Sequence, residues 1–297
     1  MSTEARIQQV LRLSNYMASG LPPISGVYSP LINTITNYAN IILNRSANNW
    51  YTIRSTNGNN TMDSLVVGDG SDGTFSEITI APSISVIGTV SSGWSSYFQI
   101  RWWDSSNIAV FTVDEDSPYD LKLYTVNIST GVSTSVGTLI SGVPRSESGL
   151  YVGVNNTYIY VSTTIVDPHA NNYIIRYLKT NITTTEEYKM PLLYYGSGAY
   201  IRTMLYLPVS VTTNYLWAIN HRYGSYPFHE YIFPLSNIQN GIRIGCDIGD
   251  VFNTSAGFSF QTDYDMTSVY LLPNNYHLGH SGLPYITESD LIKYGAL

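Results

Sequence analysis

Apolar and polar residues alternate along most of the chain after residue 47, in short runs separated by Gly, Asn, Asp and Pro. Alternation of this kind, with turn residues between the runs, predicts β-strands rather than helices. The segment from Leu123 to Leu139, LYTVNISTGVSTSVGTL, shows the pattern clearly, because two alternating runs flank a Ser-Thr-Gly turn. This segment therefore predicts a β-hairpin.

The hairpin is one copy of a repeated unit. Dense runs of β-branched and aromatic residues predict a second strand at 64–70, 108–114, 158–164, 215–221 and 268–274. A third strand is predicted at 76–82, 121–127, 173–179, 230–236 and 283–289. A first strand is predicted at 50–55, 97–103, 149–154, 200–207 and 257–262, and a fourth at 85–90, 135–139 and 241–246. Self-similarity at one period of about 50 residues indicates a repeat architecture.

Four antiparallel strands repeated five times are typical of a β-propeller. We therefore predict an all-β, five-bladed β-propeller over residues 48–297, with a pair of β-sandwiches or a jelly roll as the rival architecture. On its strand count and on the LYTVN…TG hairpin, this region resembles the β-propeller superfamily. No WD dipeptide with its GH partner and no kelch double glycine is visible, so those two families are not supported.

Residues 1–47 show a helical rather than an alternating pattern, and we predict two helices there that form an N-terminal anchor segment. Ser29 and Pro30 suit the N-cap and first position of the second helix. Four apolar residues follow at helical spacing and form the candidate anchor stripe: Leu31, Ile35, Tyr38 and Ile42. The stripe fits packing against the propeller and also fits docking onto a partner or another copy of the chain.

The composition narrows the classes of partner. Only 12% of the 297 residues are charged, the formal net charge is −7, and 26 residues are Tyr. A weakly acidic chain does not attract phosphates, so nucleic acid is not an expected partner. No apolar run approaches the roughly 18 residues of a membrane span. Cys246 is the single cysteine, so an intrachain disulfide is impossible.

Few charges and much Ser, Thr, Asn and Tyr are typical of an exported surface, yet the N-terminus has no secretory pattern. A virion component, assembled in the host cytoplasm, resolves this conflict, and the composition resembles that of virion proteins from archaeal viruses of hot acidic springs. The leading prediction is a non-enzymatic virion structural protein that displays the propeller for subunit contacts or host-surface attachment. Its expected partners are other virion proteins, a host surface glycan and further copies of itself. A cytoplasmic protein of unusual composition is the alternative.

An enzyme is not predicted, because no catalytic pattern is convincing. The resemblance to propellers brings in glycosidases, which need two carboxylates facing a funnel. The acidic candidates are Asp104, Asp114, Glu115, Asp116, Asp167 and Asp247. Asp104 lies in a turn, WWDSSN, and the first strand of the first unit has no acid. A propeller glycoside hydrolase or carbohydrate-binding lectin is the alternative function, and a cellular scaffold for protein partners is the third.

No cofactor and no metal are predicted. GDGSDG at 68–73 departs from a calcium loop at the ligand positions, and HLGH at 277–280 has no third ligand nearby. Aromatic residues near strand ends suit sugar stacking or protein contact, especially in the loop HRYGSYPFHEY at 221–231. The candidate binding residues are Trp102, Trp103, Tyr223, Tyr226 and His229.

Overall fold

The computed structural model describes residues 25–31, 41–57, 60–86, 98–113, 120–142, 151–163, 173–189, 209–220, 229–236, 242–244, 258–273 and 283–293. The described strands form five antiparallel sheets of four strands each. Sheet 1 contains β2 (Ile42–Asn44), β3 (Asn49–Arg54), β4 (Thr61–Asp69) and β5 (Phe75–Ser85). Sheet 2 contains β6 (Phe98–Trp102), β7 (Asn107–Val113), β8 (Leu121–Asn127) and β9 (Ser133–Ile140). Sheet 3 contains β10 (Tyr151–Val154), β11 (Tyr158–Thr163), β12 (Tyr173–Leu178) and β13 (Asn181–Lys189).

The last two sheets follow the same order with one exception. Sheet 4 contains β14 (Val209–Val211), β15 (Tyr215–Asn220), β16 (His229–Pro234) and β17 (Ile242–Ile244). Sheet 5 contains β18 (Phe258–Thr262), β19 (Ser268–Pro273), β20 (Leu283–Thr287) and, as its fourth strand, β1 (Gly26–Tyr28). A short helix, α1 (Glu288–Lys293), follows β20.

The sheets are arranged in a ring. The first strands lie side by side in the order β2, β6, β10, β14 and β18, and β18 lies beside β2 again. These five are the inner strands of the ring, and the later strands of each sheet lie progressively farther out. The predicted all-β propeller fold is therefore confirmed.

The ring is completed by a strand from the other end of the sequence. β1 pairs with β20, with Gly26 opposite Tyr285 and Tyr28 opposite Leu283. The last residue of β1 and a residue beyond it then contact sheet 1, because Tyr28 Oη donates to Asn48 Oδ1 and the Leu31 N–H donates to the Gly70 carbonyl. Residues 25–31 therefore join sheet 5 to sheet 1.

The core lies between the sheets, which explains why the strand sequences are apolar on both faces. All five residues of β6, FQIRW, are buried, and β7 is buried from Ile108 to Val113. One cluster packs Ile53 and Leu65 of sheet 1 against Ile100 of sheet 2. A second cluster packs Phe111 of sheet 2 against Val161 of sheet 3. Burial on both faces is what a propeller blade between two neighbours requires.

The first predicted unit is wrong by one strand. The segment predicted as its first strand, 50–55, lies largely in the second strand β3, and 64–70 and 76–82 fall in the third and fourth strands. The true first strand, β2, has only three residues, which is too short to show an alternating pattern. Of the predicted fourth strand at 85–90, residues 87–90 lie outside the described residues.

The predicted N-terminal helices are not found where that segment is described. Ile42, placed in the helical anchor stripe, is fully buried in β2, because it fills the core beside Tyr51. Leu31 is 54% exposed and lies in no helix. Ile35, Tyr38 and the first predicted helix lie outside the described residues. Residue 47 falls in the turn between β2 and β3, so the first sheet extends back to residue 42 and the fifth uses residues 26–28.

Gly131 allows sheets 1 and 2 to approach closely. Its φ is +72°, and a Cβ at this position would lie 2.0 Å from the Thr79 carbonyl oxygen. Gly131→Ala is expected to lower the free energy of unfolding by about 2–3 kcal/mol. The added Cβ clashes with Thr79, and alanine is strained at this positive φ. Urea denaturation measures the change. Gly142→Ala is the control, since Gly142 has a φ of 75° but is exposed. Equal losses in the two variants would show that the clash with Thr79 contributes nothing.

Candidate ligand-binding face

The strand order gives the ring two unlike faces. Connections from first to second and from third to fourth strands lie on one face, which we call the turn face. The strand ends that are joined from second to third strands and from sheet to sheet lie on the other, which we call the loop face. The first-to-second turns span only 45–48, 103–106, 155–157, 212–214 and 263–267. The connections between sheets are longer, at 29–41, 86–97, 141–150, 190–208 and 245–257.

The turn face is built as a framework. In every sheet the residue after the third strand donates its backbone N–H to the carbonyl of the residue before the second strand. The donor–acceptor pairs are Gly70–Asn48, Ile128–Ser106, Lys179–Thr157, Leu235–Asn214 and Glu288–Thr267, at 2.6–3.0 Å. This recurrence places the five turns in equivalent positions. Short turns closed by such bonds leave little room for a ligand.

Side chains close these turns further. Asp104 Oδ1 accepts from the Ser106 N–H at 2.8 Å, and Asn155 Oδ1 accepts from the Tyr158 N–H at 2.8 Å. Asn127 Oδ1 accepts from the Thr130 N–H at 3.0 Å. Asp and Asn stabilise turns in this way. Asp104, a predicted catalytic candidate, therefore acts as a turn residue in this structure.

Trp102 joins three sheets at the end of β6 that leads into the turn face. Its indole Nε1 on β6 donates to the Leu43 carbonyl of β2 at 2.8 Å. Its ring meets the edge of Tyr51 at 5.1 Å and of Tyr264 at 5.0 Å between ring centroids. Trp102 thus connects sheet 2 to sheets 1 and 5 and is only 2% exposed. Its predicted role as a binding residue stays a prediction, for a ring that is buried between sheets in this structure.

Polar side chains occupy the space between inner strands. Gln99 and Arg101 of β6 both reach β10: Arg101 Nε donates to the Val152 carbonyl at 2.7 Å, and the Val152 N–H donates to Gln99 Oε1 at 3.3 Å. Thr262 of β18 makes the same two kinds of hydrogen bond with Val211 of β14. Its Oγ1 accepts from the Val211 N–H and donates to the Val211 carbonyl. Inner-strand edges have backbone groups that need partners, and these side chains supply them.

Arg101 is the most deeply buried cation among the described residues. It is 4% exposed, and burial lowers its pKa to about 9, which leaves the guanidinium charged at neutral pH. Its three hydrogen bonds go to the Val152 carbonyl, the Ile100 carbonyl and Gln99 Oε1, each at 2.7 Å. Sequence reasoning missed this residue. A polar pair alternating with Phe98, Ile100 and Trp102 in a first strand was the available signal.

A second polar cluster joins sheets 5 and 1. Asp263, 2% exposed, accepts from Arg45 Nε at 3.3 Å and from the backbone N–H of Arg45 at 3.2 Å. It also accepts from Tyr270 Oη at 3.1 Å and from the Tyr264 N–H at 2.8 Å. The guanidinium of Arg45 stacks over the Tyr285 ring at 4.3 Å. This cluster stabilises the same junction that β1 crosses.

Trp103 is covered by a lysine on the neighbouring sheet. Lys179 Nζ lies 4.3 Å from the Trp103 ring centroid and donates to the carbonyls of Trp103 and Asn155. The predicted binding role of Trp103 remains a prediction. Burial lowers the pKa of Lys179 to about 8, below the 10.5 that is usual for a lysine.

The Lys179 pKa predicts a pH dependence of stability. Between pH 8 and 10.5 the unfolded chain holds a proton on Lys179 that the folded chain has released, so this residue makes stability rise with pH. The difference in melting temperature between wild type and Lys179→Met should therefore grow in favour of wild type from pH 8 to pH 10.5. Lys122→Met, which removes a charge from sheet 2, is the control. An identical pH profile in wild type and Lys179→Met would contradict the expectation.

Of the remaining predicted binding residues, only His229 is among the described residues. Tyr223 and Tyr226 lie outside the described residues. His229 begins β16 and pairs with Asn220. Asp114, Glu115, Asp116, Asp167 and Asp247 also lie outside them.

The described residues hold no group of three or more His, Cys, Asp or Glu side chains arranged for a metal. In the GDGSDG segment, Asp69 Oδ1 accepts from the Ser71 N–H and Asp72 Oδ1 from the Thr74 N–H, as turn residues do. Within the same described ranges, no helix is long and apolar enough to cross a membrane.

Comparison with known proteins finds likeness in structure only. No protein-family model matches the chain, and no curated protein matches it in sequence. An endo-arabinase from Bacteroides thetaiotaomicron shares 11% identity over 88% of this chain and 96% of its own, with a TM-score of 0.45. A thermostable family-43 glycoside hydrolase shares 10% identity over 87% and 91%, with a TM-score of 0.46. The β-propeller domain of the Trilobed protease from Pyrococcus furiosus shares 9% identity over 88% and 69%, with a TM-score of 0.37.

These comparisons correct the prediction that the chain is not an enzyme. Solved chains with this degree of likeness include an endo-arabinase and a glycoside hydrolase. At about 10% identity no residue role is carried over from these proteins.

Proposed function

We propose that each of the five sheets is one blade of a five-bladed propeller and that the protein binds carbohydrate at its loop face. The observation that carries the proposal is the asymmetry of the two faces. The turns of the turn face have two to seven residues, whereas the connections between sheets have 10 to 19 residues, the longest at 190–208. The connections that start and end at the loop face therefore supply more residues for a ligand site than the turns of the turn face do.

The residues of the loop connections favour a saccharide as that ligand. In the sequence, aromatic residues occur repeatedly in the segments that join strand ends at this face: Tyr194, Tyr195, Tyr223, Tyr226 and Tyr276. Aromatic rings with hydroxyl and amide neighbours stack on sugar rings and bind their hydroxyl groups. The low share of charged residues, 12%, agrees with a neutral, hydrogen-bonding surface.

A glycan array probed with the purified protein tests the proposal. Retention of one or more saccharides is expected. The double variant Tyr223→Ala with Tyr226→Ala should lower the affinity for them about tenfold, which is the effect of losing one stacked ring or more. Phe75→Ala is the matched control, since Phe75 is 43% exposed but begins β5 beside the turn face. Failure to retain any saccharide would overturn the proposal.

Glycoside hydrolysis is the second candidate function, favoured by where acidic residues occur. Asp114, Glu115 and Asp116 follow β7, and Asp167 comes shortly after β11, both at the ends of second strands. Second strands of neighbouring sheets end at the loop face, so these carboxylates are available to the pair that hydrolysis needs. Release of chromophore from a panel of aryl glycosides tests the activity. Asp114→Asn and Asp167→Asn should abolish it, while Asp104→Asn on the turn face should not.

The virion setting, host attachment and self-association stay predictions from composition. Mass spectrometry of purified virus particles from the source tests the setting directly, and absence of the chain from such particles would contradict it.

A further inference from the structure

Asn181 begins a sequon, the pattern Asn-X-Ser/Thr that enzymes recognise when they attach a glycan to an asparagine side chain. The chain contains six such patterns, which begin at Asn44, Asn59, Asn127, Asn155, Asn181 and Asn253. Those at Asn59 and Asn253 lie outside the described residues. The other four differ in how far their asparagine side chains are buried, and this difference separates them as acceptors.

The sequon at Asn181 lies at an irregular point of sheet 3. Asn181 is opposite Leu178 of β12, whereas Thr185 is opposite Tyr177, so residues 182–184 are extra residues on the β13 side of the pair. Extra residues of this kind form a bulge that bends the strand on which they lie. The bulge is on β13, the outermost strand of sheet 3, so the sequon lies at the periphery of the ring.

The local conformation brings together the two groups that define the sequon. Asn181 Oδ1 accepts a hydrogen bond from Thr183 Oγ1 at 2.7 Å and another from the Thr183 N–H at 3.2 Å. Bonds from an asparagine side chain to the residue two positions later form an Asx turn. Asn181 and Thr183 are both exposed, so an enzyme can reach the amide and the hydroxyl group together from solvent.

The other three described sequons have packed asparagine side chains. Asn155 is 6% exposed, and Asn44 and Asn127 are half-buried. Their Oδ1 atoms close turns by accepting from the backbone N–H groups of Thr157, Ala47 and Thr130 respectively. Asn127 Nδ2 also donates to Asn107 Oδ1 at 3.4 Å, so the nitrogen that would carry a glycan already has a partner. Among the described sequons, Asn181 is therefore the accessible acceptor.

We infer that Asn181 is a modification site that carries an N-linked glycan. The co-substrate is a sugar attached to a lipid diphosphate. A bond forms between Asn181 Nδ2 and the anomeric carbon of the sugar, while the bond from that carbon to the phosphate oxygen breaks. The lipid diphosphate leaves, and the amide nitrogen gives up one proton. The inference does not depend on the proposed carbohydrate binding, which concerns a different face of the ring.

The position of Asn181 has room for a large attached group. Asn181 follows the two-residue turn 179–180, which joins the third and fourth strands at the turn face, so a glycan here leaves the loop face open. Residues 183–187, which follow it on β13, are all exposed. Exposed outer strands can pair with strands of other chains. A bulky hydrophilic glycan beside β13 hinders such pairing.

Peptide mass spectrometry of the intact chain, purified from its natural source, tests the inference. The peptide that contains Asn181 is expected to carry a glycan in most copies of the chain. The peptides that contain Asn44, Asn127 and Asn155 are expected to be mostly unmodified. An unmodified Asn181 in this material overturns the inference.

Variants of the full chain, expressed in the same cells, show whether the sequon itself is recognised. Asn181→Gln and Thr183→Val should each remove the glycan and increase the mobility of the chain in a denaturing gel. Thr183→Ser keeps the pattern and should keep the glycan. Asn127→Gln is the matched control and should leave the mobility unchanged. A glycan that persists in both Asn181→Gln and Thr183→Val lies elsewhere on the chain and overturns the role of Asn181.

Discussion

Removal of residues 1–31 is expected to abolish the cooperative unfolding transition of the whole propeller or to shift it far toward lower denaturant concentration. The deletion removes β1, so sheet 5 loses its fourth strand and β20 becomes an open edge. It also removes the bonds Tyr28–Asn48, Leu31–Gly70 and Trp50–Leu31 that join sheets 5 and 1. Together with the bonds between β1 and β20, and at about 1 kcal/mol for each hydrogen bond, the free energy of unfolding falls by on the order of 5 kcal/mol.

Denaturation followed by circular dichroism and by tryptophan fluorescence measures this effect. Deletion of residues 1–24 is the matched control, because it keeps every contact described for residues 25–31. The 1–31 deletion is expected to unfold at a lower midpoint than the 1–24 deletion. A 1–31 deletion that unfolds at the wild-type midpoint would show that β1 does not stabilise the ring.

Asp263→Ala is expected to lower the free energy of unfolding by about 3 kcal/mol, because removal of one partner from a buried ion pair leaves its other partners unsatisfied. The carboxylate accepts hydrogen bonds from Arg45, Tyr264 and Tyr270. Arg45 can regain water, since its side chain is 31% exposed. Tyr270 is fully buried and cannot, so its hydroxyl group carries much of the loss.

Urea denaturation of Asp263→Ala and Asp265→Ala distinguishes a structural carboxylate from an ordinary turn residue. Asp265 is exposed and accepts one backbone hydrogen bond, from Thr267. Its replacement should cost less than about 1 kcal/mol. Similar losses in the two variants would mean that the cluster around Asp263 does not stabilise the junction of sheets 5 and 1.

The repeat could be predicted from sequence where strands are long enough to show alternation. β7, β8, β11 and β12 have six or seven residues each, and the predicted strands 108–114, 121–127, 158–164 and 173–179 match them within one residue. β2 and β1 have three residues each, and no local pattern identifies a strand of that length. The apolar spacing that predicted a helix through Ile42 includes a residue whose burial comes from sheet packing.

Strand pairing between distant parts of the chain is the other feature that could not be predicted from the sequence. The partner of Tyr28 in the sheet is Leu283, and nothing in either segment indicates the other. For the candidate site, aromatic content alone could not separate Trp102, which is buried between sheets, from Trp103, which is half-buried at a strand end. Arg101 and Asp263 were missed because their importance comes from burial, which the sequence does not display.

The pairing of β1 with β20 also determines how the ring responds to mechanical force. Ser25, which precedes β1, bonds to Thr287 and to the Tyr285 carbonyl, so the chain leaves both strands at the same end of the pair. Tension applied at residues 25 and 288 pulls across the strands and along their hydrogen bonds, which then break one at a time. Two strands loaded along their length would instead break all their bonds together. The ring should therefore open at low force by unzipping at sheet 5, with the other four sheets still intact.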